Sequence, residues 1–151
     1  MTEKYQSMRV NLRDYFELPS SAVEFVIAIE QFSQFFDDVA DKDHDIARAS
    51  LNLNLYNCFY GLHVNAFFLA NRARLLPIME LIVLKWQGSD ARERVCEADA
   101  VSFVWRAGFY DLLMAVMGIV HGHAYASERA PCVMKYYKET FEDYQKEFPN
   151  G

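Results

Sequence analysis

Apolar side chains recur along this chain at intervals of three and four. From Ser21 onward, Phe25, Ile29, Phe32, Phe36 and Val39 form such a series. It predicts a helix with one oily stripe turned towards a partner. Ser21 and Glu24 have the spacing of a capping box, so the helix is expected to begin there and to end near Ala40. A second helix is expected after Asp45, running towards Arg74. Tyr56, Tyr60, His63 and Phe67 share one of its faces, and Asn54, Asn57, Gly61 and Asn65 another. Amide side chains compete with backbone hydrogen bonds inside helices, so these asparagines are unusual there. Gly61 marks a kink or a close approach.

Leu75–Trp86 reads as a third helix with Pro77 in its first turn, where a missing N–H costs little. It is apolar almost all round, which predicts a central position. Gly88-Ser-Asp90 is expected to end it. A fourth helix spans Ala91 to His121. Cys96, Ala100, Phe103, Ala107, Tyr110, Met114, Met117 and His121 alternate spacings of four and three, as in the seam of an antiparallel bundle. Beside them Gly108, Asp111, Ala115, Gly118 and Gly122 make a stripe of mostly small residues that permits close approach. Ser127–Pro131 reads as a break. A last helix then turns Val133, Tyr137, Phe141, Tyr144 and Phe148 inward, with Lys138, Glu142 and Lys146 on a solvated face. Residues 1–19 read as an N-terminal arm or short helical turn and 20–151 as the helical domain. The expectation is an all-α, single-domain antiparallel bundle of about five helices.

Composition narrows the class. The chain has 151 residues, 52% hydrophobic and 24% charged, which excludes wholesale disorder. Its 6 glycines and 4 prolines are too few for a turn-rich β-sandwich or barrel. Lys and Arg number 15 against 21 Asp and Glu, a formal charge of -6, which argues against nucleic acid as a partner. No run reaches the roughly 18–20 apolar residues of a membrane span. Leu75–Leu84 is interrupted by Glu80 and Ala107–Val120 by Asp111, and both read as buried core helices. Met1–Asp14 is polar and charged rather than an export signal. Cys58, Cys96 and Cys132 are far apart and odd in number, consistent with reduced thiols in a cytoplasm. Phosphate-loop, dinucleotide, nucleophile-elbow and zinc-ribbon spacings are all missing.

The densest chemistry lies in the run from Asp37 to Asp45. It holds Asp37, Asp38, Asp41, Asp43, His44 and Asp45. Were the first helix to continue, Gln34, Asp38, Asp41 and Asp45 would share a face. Hard divalent ions such as Mg²⁺ or Mn²⁺ favour several such oxygens. Asp37-Asp-x-x-Asp41 has the form by which isoprenoid synthases hold diphosphate, but the second acidic motif of those enzymes is missing. Asp41-x-Asp43-x-Asp45 resembles the opening of an EF-hand loop, but Ile46 and Asn52 stand where glycine and glutamate are required. His44-Asp45 matches the central pair of an HD-type phosphohydrolase without the preceding histidine. Acidic residues at a helix start also serve as caps and complement the dipole.

Glu80 and Asp111 interrupt apolar helices and must be paired, protonated or aimed at a cavity. Arg72 or Arg74 is the expected partner of Glu80. His63 lies on an aromatic stripe, as a core histidine does. Convergence of Glu80, Asp111 and His63, with His44 at the acidic corner, would supply acid and base groups. Cys132 follows Pro131 near the expected start of the last helix.

Two functional expectations follow. The first is an interaction or regulatory protein, associating with a second copy as a dimer, or with a basic protein that its negative charge attracts. The second is a hydrolase of a phosphorylated small molecule. There Asp37, Asp38, Asp41 and Asp45 hold Mg²⁺ or Mn²⁺, and His44 acts as an acid/base group. A third arrangement, an apolar ligand held between helices, would use Asn54, Asn57, Asn65 and His63 as lining.

Overall fold

The computed structural model describes residues 3–42, 45–134 and 139–149. Among them regular structure is entirely helical and no strand occurs, as the three-and-four periodicity predicts. The helices are more numerous than the five expected, and their boundaries differ. No helix among the described residues is long and apolar enough to cross a membrane. The chain divides into two compact units, Met1–Arg72 and Ala73–Gly151.

In the first unit, α1 (Glu3–Val10) runs into a π-helical turn, Asn11–Tyr15, and then α2 (Ser20–Asp41). Leu12, Phe16 and Leu18 are buried, whereas Val10 and Tyr15 remain exposed. Pro19 caps α2, its carbonyl accepting from Ala22 at 2.9 Å and Val23 at 3.0 Å. The helix therefore starts one residue early, and the expected Ser21–Glu24 capping box does not form. Glu24 instead pairs with Arg9 of α1. The buried side of α2 is Ala22, Val23, Phe25, Val26 and Ile27, all in its first half. Phe32, Phe36 and Val39, expected inward, are exposed. The stripe is periodic, but its C-terminal half has no apolar cover.

A single helix was expected from Asp45 to Arg74, but the chain makes several pieces. These are α3 (Arg48–Tyr56), a π-helical segment Asn57–Gly61, the turn α4 (Leu62–Val64) and the start of α5 (Ala66–Arg94). The widening at Asn57–Gly61 shows in the Leu62 amide, which donates to the Asn57 carbonyl five residues back. The break at Asn65 has a direct cause. Its backbone is extended, its Oδ1 accepts from the Phe68 amide at 2.9 Å, and its Nδ2 donates to the Ser21 carbonyl at 2.9 Å. One amide thus caps α5 and ties it to α2. Phe25 then stacks on Phe68 with ring centroids 5.6 Å apart.

In the second unit α5 continues to Arg94, through both expected boundaries at Leu75 and Gly88–Asp90. Ser89 is buried and donates to the Ser102 carbonyl at 2.5 Å, so the expected terminator is an internal contact. Pro77 sits in the helix interior rather than in a first turn. Lacking an N–H, it leaves the Ala73 carbonyl without its helical donor. Leu75 is buried, but Leu76, Leu81, Val83 and Leu84 are exposed, which corrects the expected core position of this stretch.

The expected long fourth helix is divided into α6 (Ala100–Trp105) and α7 (Gly108–His121). Cys96 adopts a left-handed conformation with φ 58° after α5 ends. Asp99 and Ser102 form a capping box that starts α6. Gly122, at φ 90°, separates α7 from α8 (His123–Val133), which runs on through Pro131 where a break was expected. Tyr137 and Lys138 lie outside the described residues. The chain closes with α9 (Phe141–Glu147). Leu112, Leu113, Val116, Met117, Val133 and Tyr144 are buried. Gly108 permits close approach, as its stripe suggested: a Cβ there would run into the Ile82 side chain.

Candidate interaction surface and pocket

The acidic run does not assemble a site. Asp37, Asp38 and Asp41 fall in the last turns of α2, with Asp45 beyond it, while Asp43 and His44 lie outside the described residues. The helix stops at Asp41 because Lys42 turns left-handed at φ 58°, its amide donating to the Asp38 carbonyl. Asp45 therefore leaves the face it was expected to share with Asp38 and Asp41. Gln34 does meet Asp38 on that face, its amide donating at 3.1 Å. Among the described residues no three His, Cys, Asp or Glu side chains gather as a metal would need.

Nor does the expected acid/base set form a pocket. Glu80 is exposed, and among the described residues neither Arg72 nor Arg74 pairs with it. Asp111 pairs with Lys85 across α5 and α7. Lys85 stands in a stretch that is apolar almost all round, and no spacing along the chain marks it as the partner of Asp111. His63 is exposed rather than in the core, with Nε2 3.1 Å from the Cys58 carbonyl oxygen. Burial pushes the Cys58 thiol up from its ordinary value. Cys132 lies near the end of α8, not at a helix start.

The feature that stands out in the first unit is the segment α3–π–α4. It interleaves Ser50, Asn52, Asn54 and Asn57 with apolar side chains, many of which are uncovered. Leu51, Leu55 and Phe59 lie four residues apart on one exposed ridge, with Leu55 60% and Phe59 80% accessible. Tyr56 and Tyr60 flank them, their rings 5.5 Å apart. From Ile46 to Asn71 the only fixed charge is Arg48. Asn54 is buried between turns, and its amide donates to the Ser50 carbonyl at 2.9 Å.

The opposite side of the segment does not close on α2. Between them lies an open cleft of about 450 Å³, walled by Phe25 and Leu62 and by the partly exposed Leu53 and Val64 among others. Of the asparagines expected to line such a space, Asn57 and Asn65 do so, while Asn54 and His63 do not. Arg9 and Glu24 stand at its edge as an ion pair. α1 is held on α2 by Lys4, 3.3 Å from Glu30 Oε1 and 3.4 Å from Gln34 Oε1. Burial raises the Glu30 carboxyl above its usual range, although the Lys4 ammonium works against it. Burial, then the Glu30 and Asp38 carboxylates, push the Tyr5 phenol up to about 12.

The second unit holds a polar cluster that the sequence reading missed. The fully buried Tyr144 places its hydroxyl 2.7 Å from Glu93 Oε1 and 2.7 Å from Ser102 Oγ. Arg106 lies 3.6 Å from Glu93 and covers the Tyr144 and Phe148 rings at 5.4 and 5.1 Å. The cluster joins residues of α5, α6 and α9 through buried polar contacts. The available signal was a tyrosine placed on an expected inward face, whose hydroxyl requires a buried partner.

No protein-family model, curated protein or solved structure matches this chain.

Proposed function

We propose that this chain is a protein-interaction module that self-associates through the exposed ridge of α3–π–α4. The observation that carries the reading is Phe59, an aromatic ring 80% exposed on the same ridge as the exposed Leu51 and Leu55. Contiguous exposed apolar patches mark interaction sites. A second copy is the favoured occupant. The net charge of -6 opposes association of two copies in general. The stretch from Ile46 to Asn71 carries only Arg48 as a fixed charge, so the same patch can meet itself without opposed carboxylates. An isologous two-fold contact requires that self-complementarity. A basic partner would seek acidic surface, which this ridge lacks. A cytoplasmic location belongs to the same reading.

The metal-dependent phosphohydrolase reading draws no support from the described residues, where no metal-ligating group assembles. Sedimentation equilibrium tests the interaction reading. The parent chain is expected to show a concentration-dependent dimer, and Phe59→Asp to sediment as a folded monomer. A parent chain that stays monomeric at about 100 μM, where even a weak contact of roughly 5–6 kcal/mol is half-populated, overturns self-association.

A further inference from the structure

We propose that the cavity between α2 and the α3–π–α4 segment is a binding site for a small, uncharged amphipathic molecule. At about 450 Å³ it falls within the roughly 300–1,000 Å³ that small-molecule sites occupy. Phe25, Leu53, Leu62 and Val64 give it a mainly apolar wall. Three amides, Gln31, Asn57 and Asn65, also line it; Asn65 is committed to Ser21 and Phe68, which leaves Gln31 and Asn57. Neither forms a side-chain hydrogen bond within the described residues, so both are available to a ligand carbonyl or hydroxyl. The one cation in the lining, Arg9, is already paired with Glu24, so the lining has no net charge to favour an anion.

The backbone of this wall is unusual in the same place. Asn57 and Gly61 open and close the π-helical segment, and both line the cavity. π-Bulges recur at functional sites because they redirect side chains out of helical register. Gly61 serves that geometry, since a Cβ there would lie 2.8 Å from Asn57 Oδ1 and 3.2 Å from the Tyr56 ring. Any larger residue would displace the Asn57 amide. The inference goes beyond self-association: Leu55 and Phe59 do not line the cavity, so either proposal can fail alone.

The test uses N-phenyl-1-naphthylamine, an uncharged apolar fluorophore with one N–H, and its sulfonated analogue 1-anilinonaphthalene-8-sulfonate. The neutral probe is expected to bind saturably, once per chain, and more tightly than the sulfonate. Leu53→Trp, which fills the cavity, is expected to weaken binding by about tenfold or more, and Asn57→Ala by about fivefold, the equivalent of one hydrogen bond. Phe59→Ser leaves it unchanged. Should Leu53→Trp fail to fold, Gln31→Leu keeps the volume and removes an amide, with an expected severalfold loss. Three results each overturn the proposal. They are no saturable binding of the neutral probe, tighter binding of the sulfonate, and binding that resists the cavity variants but vanishes in Phe59→Ser.

Discussion

The Tyr144 hydroxyl donates to Glu93 Oε1 at 2.7 Å, joining α9 to the last turns of α5 across 51 positions of sequence. Neither group is accessible enough for water to replace the other. Glu93 has a second neighbour in Arg106, and the hydroxyl has one in Ser102. Burial, with the Glu93 carboxylate adding to it and Ser102 opposing, pushes the phenol up to about 12.

Tyr144→Phe removes one partner and leaves the Glu93 carboxylate short of a donor. A loss of about 1–3 kcal/mol in unfolding free energy is expected from removing a hydrogen bond to a largely buried charged group. The parent has a second signature. A phenol raised in the folded state contributes its full stability below pH 10 and loses it as pH rises towards 12. Denaturant unfolding followed between pH 8 and 11 should show this alkaline decline in the parent and a shallower one in the variant. Equal slopes would refute the role given to this hydroxyl.

Gly108→Ala is expected to destabilise by about 1–3 kcal/mol, the range for overpacking. Its new methyl would run into Ile82. Ile82→Ala alone should also destabilise, through a cavity. The double variant should be less impaired than the sum, because each change relieves the other. Urea midpoints of the four proteins check this, and strict additivity would show that the two residues do not meet.

Glu30 provides a pH test in the first unit. Its carboxyl is raised by burial, so the folded chain holds that proton more firmly than the unfolded one. Its contribution therefore favours folding at acid pH and is lost as pH rises through the raised folded value. Glu30→Gln, which stays neutral, should gain on the parent between pH 4 and 7. Thermal midpoints at the two pH values measure it, and a constant difference between the chains contradicts the assignment.

Millimolar Mg²⁺ or Mn²⁺ should leave the thermal midpoint unmoved, since a ligand specific to the folded state must raise it by mass action. A rise that Asp38→Asn abolishes would restore the acidic run as a metal site.

Particular residues show how far reading along the chain reaches. The periodicity of Phe25 through Val39 identified a helix correctly, but not that Phe25 is buried while Phe36 is exposed. The asparagines flagged as foreign to a helix interior do mark where helix gives way, at Asn57 and Asn65. Asn57 and Asn65 of the anticipated cavity lining are also present. Pro77 and Pro131 misled in opposite senses. Neither stops its helix, because the flanking turns supply enough other hydrogen bonds and packing to carry the chain past one missing donor.

Spacing along the chain was enough to settle the helical class, which depends on residues within a few positions of one another, and the dominance of negative charge is a plain sum over the composition. Burial obeys no such local rule. Phe25 and Phe59 are the same side chain in similarly apolar helical surroundings, yet one is enclosed and the other bare. Lys85 finds Asp111 and Tyr144 finds Glu93 over separations that no periodicity encodes. Which face acquires a neighbour depends on where the helices break, and one of those breaks rests on the Asn65 amide, whose partner Ser21 lies 44 positions away.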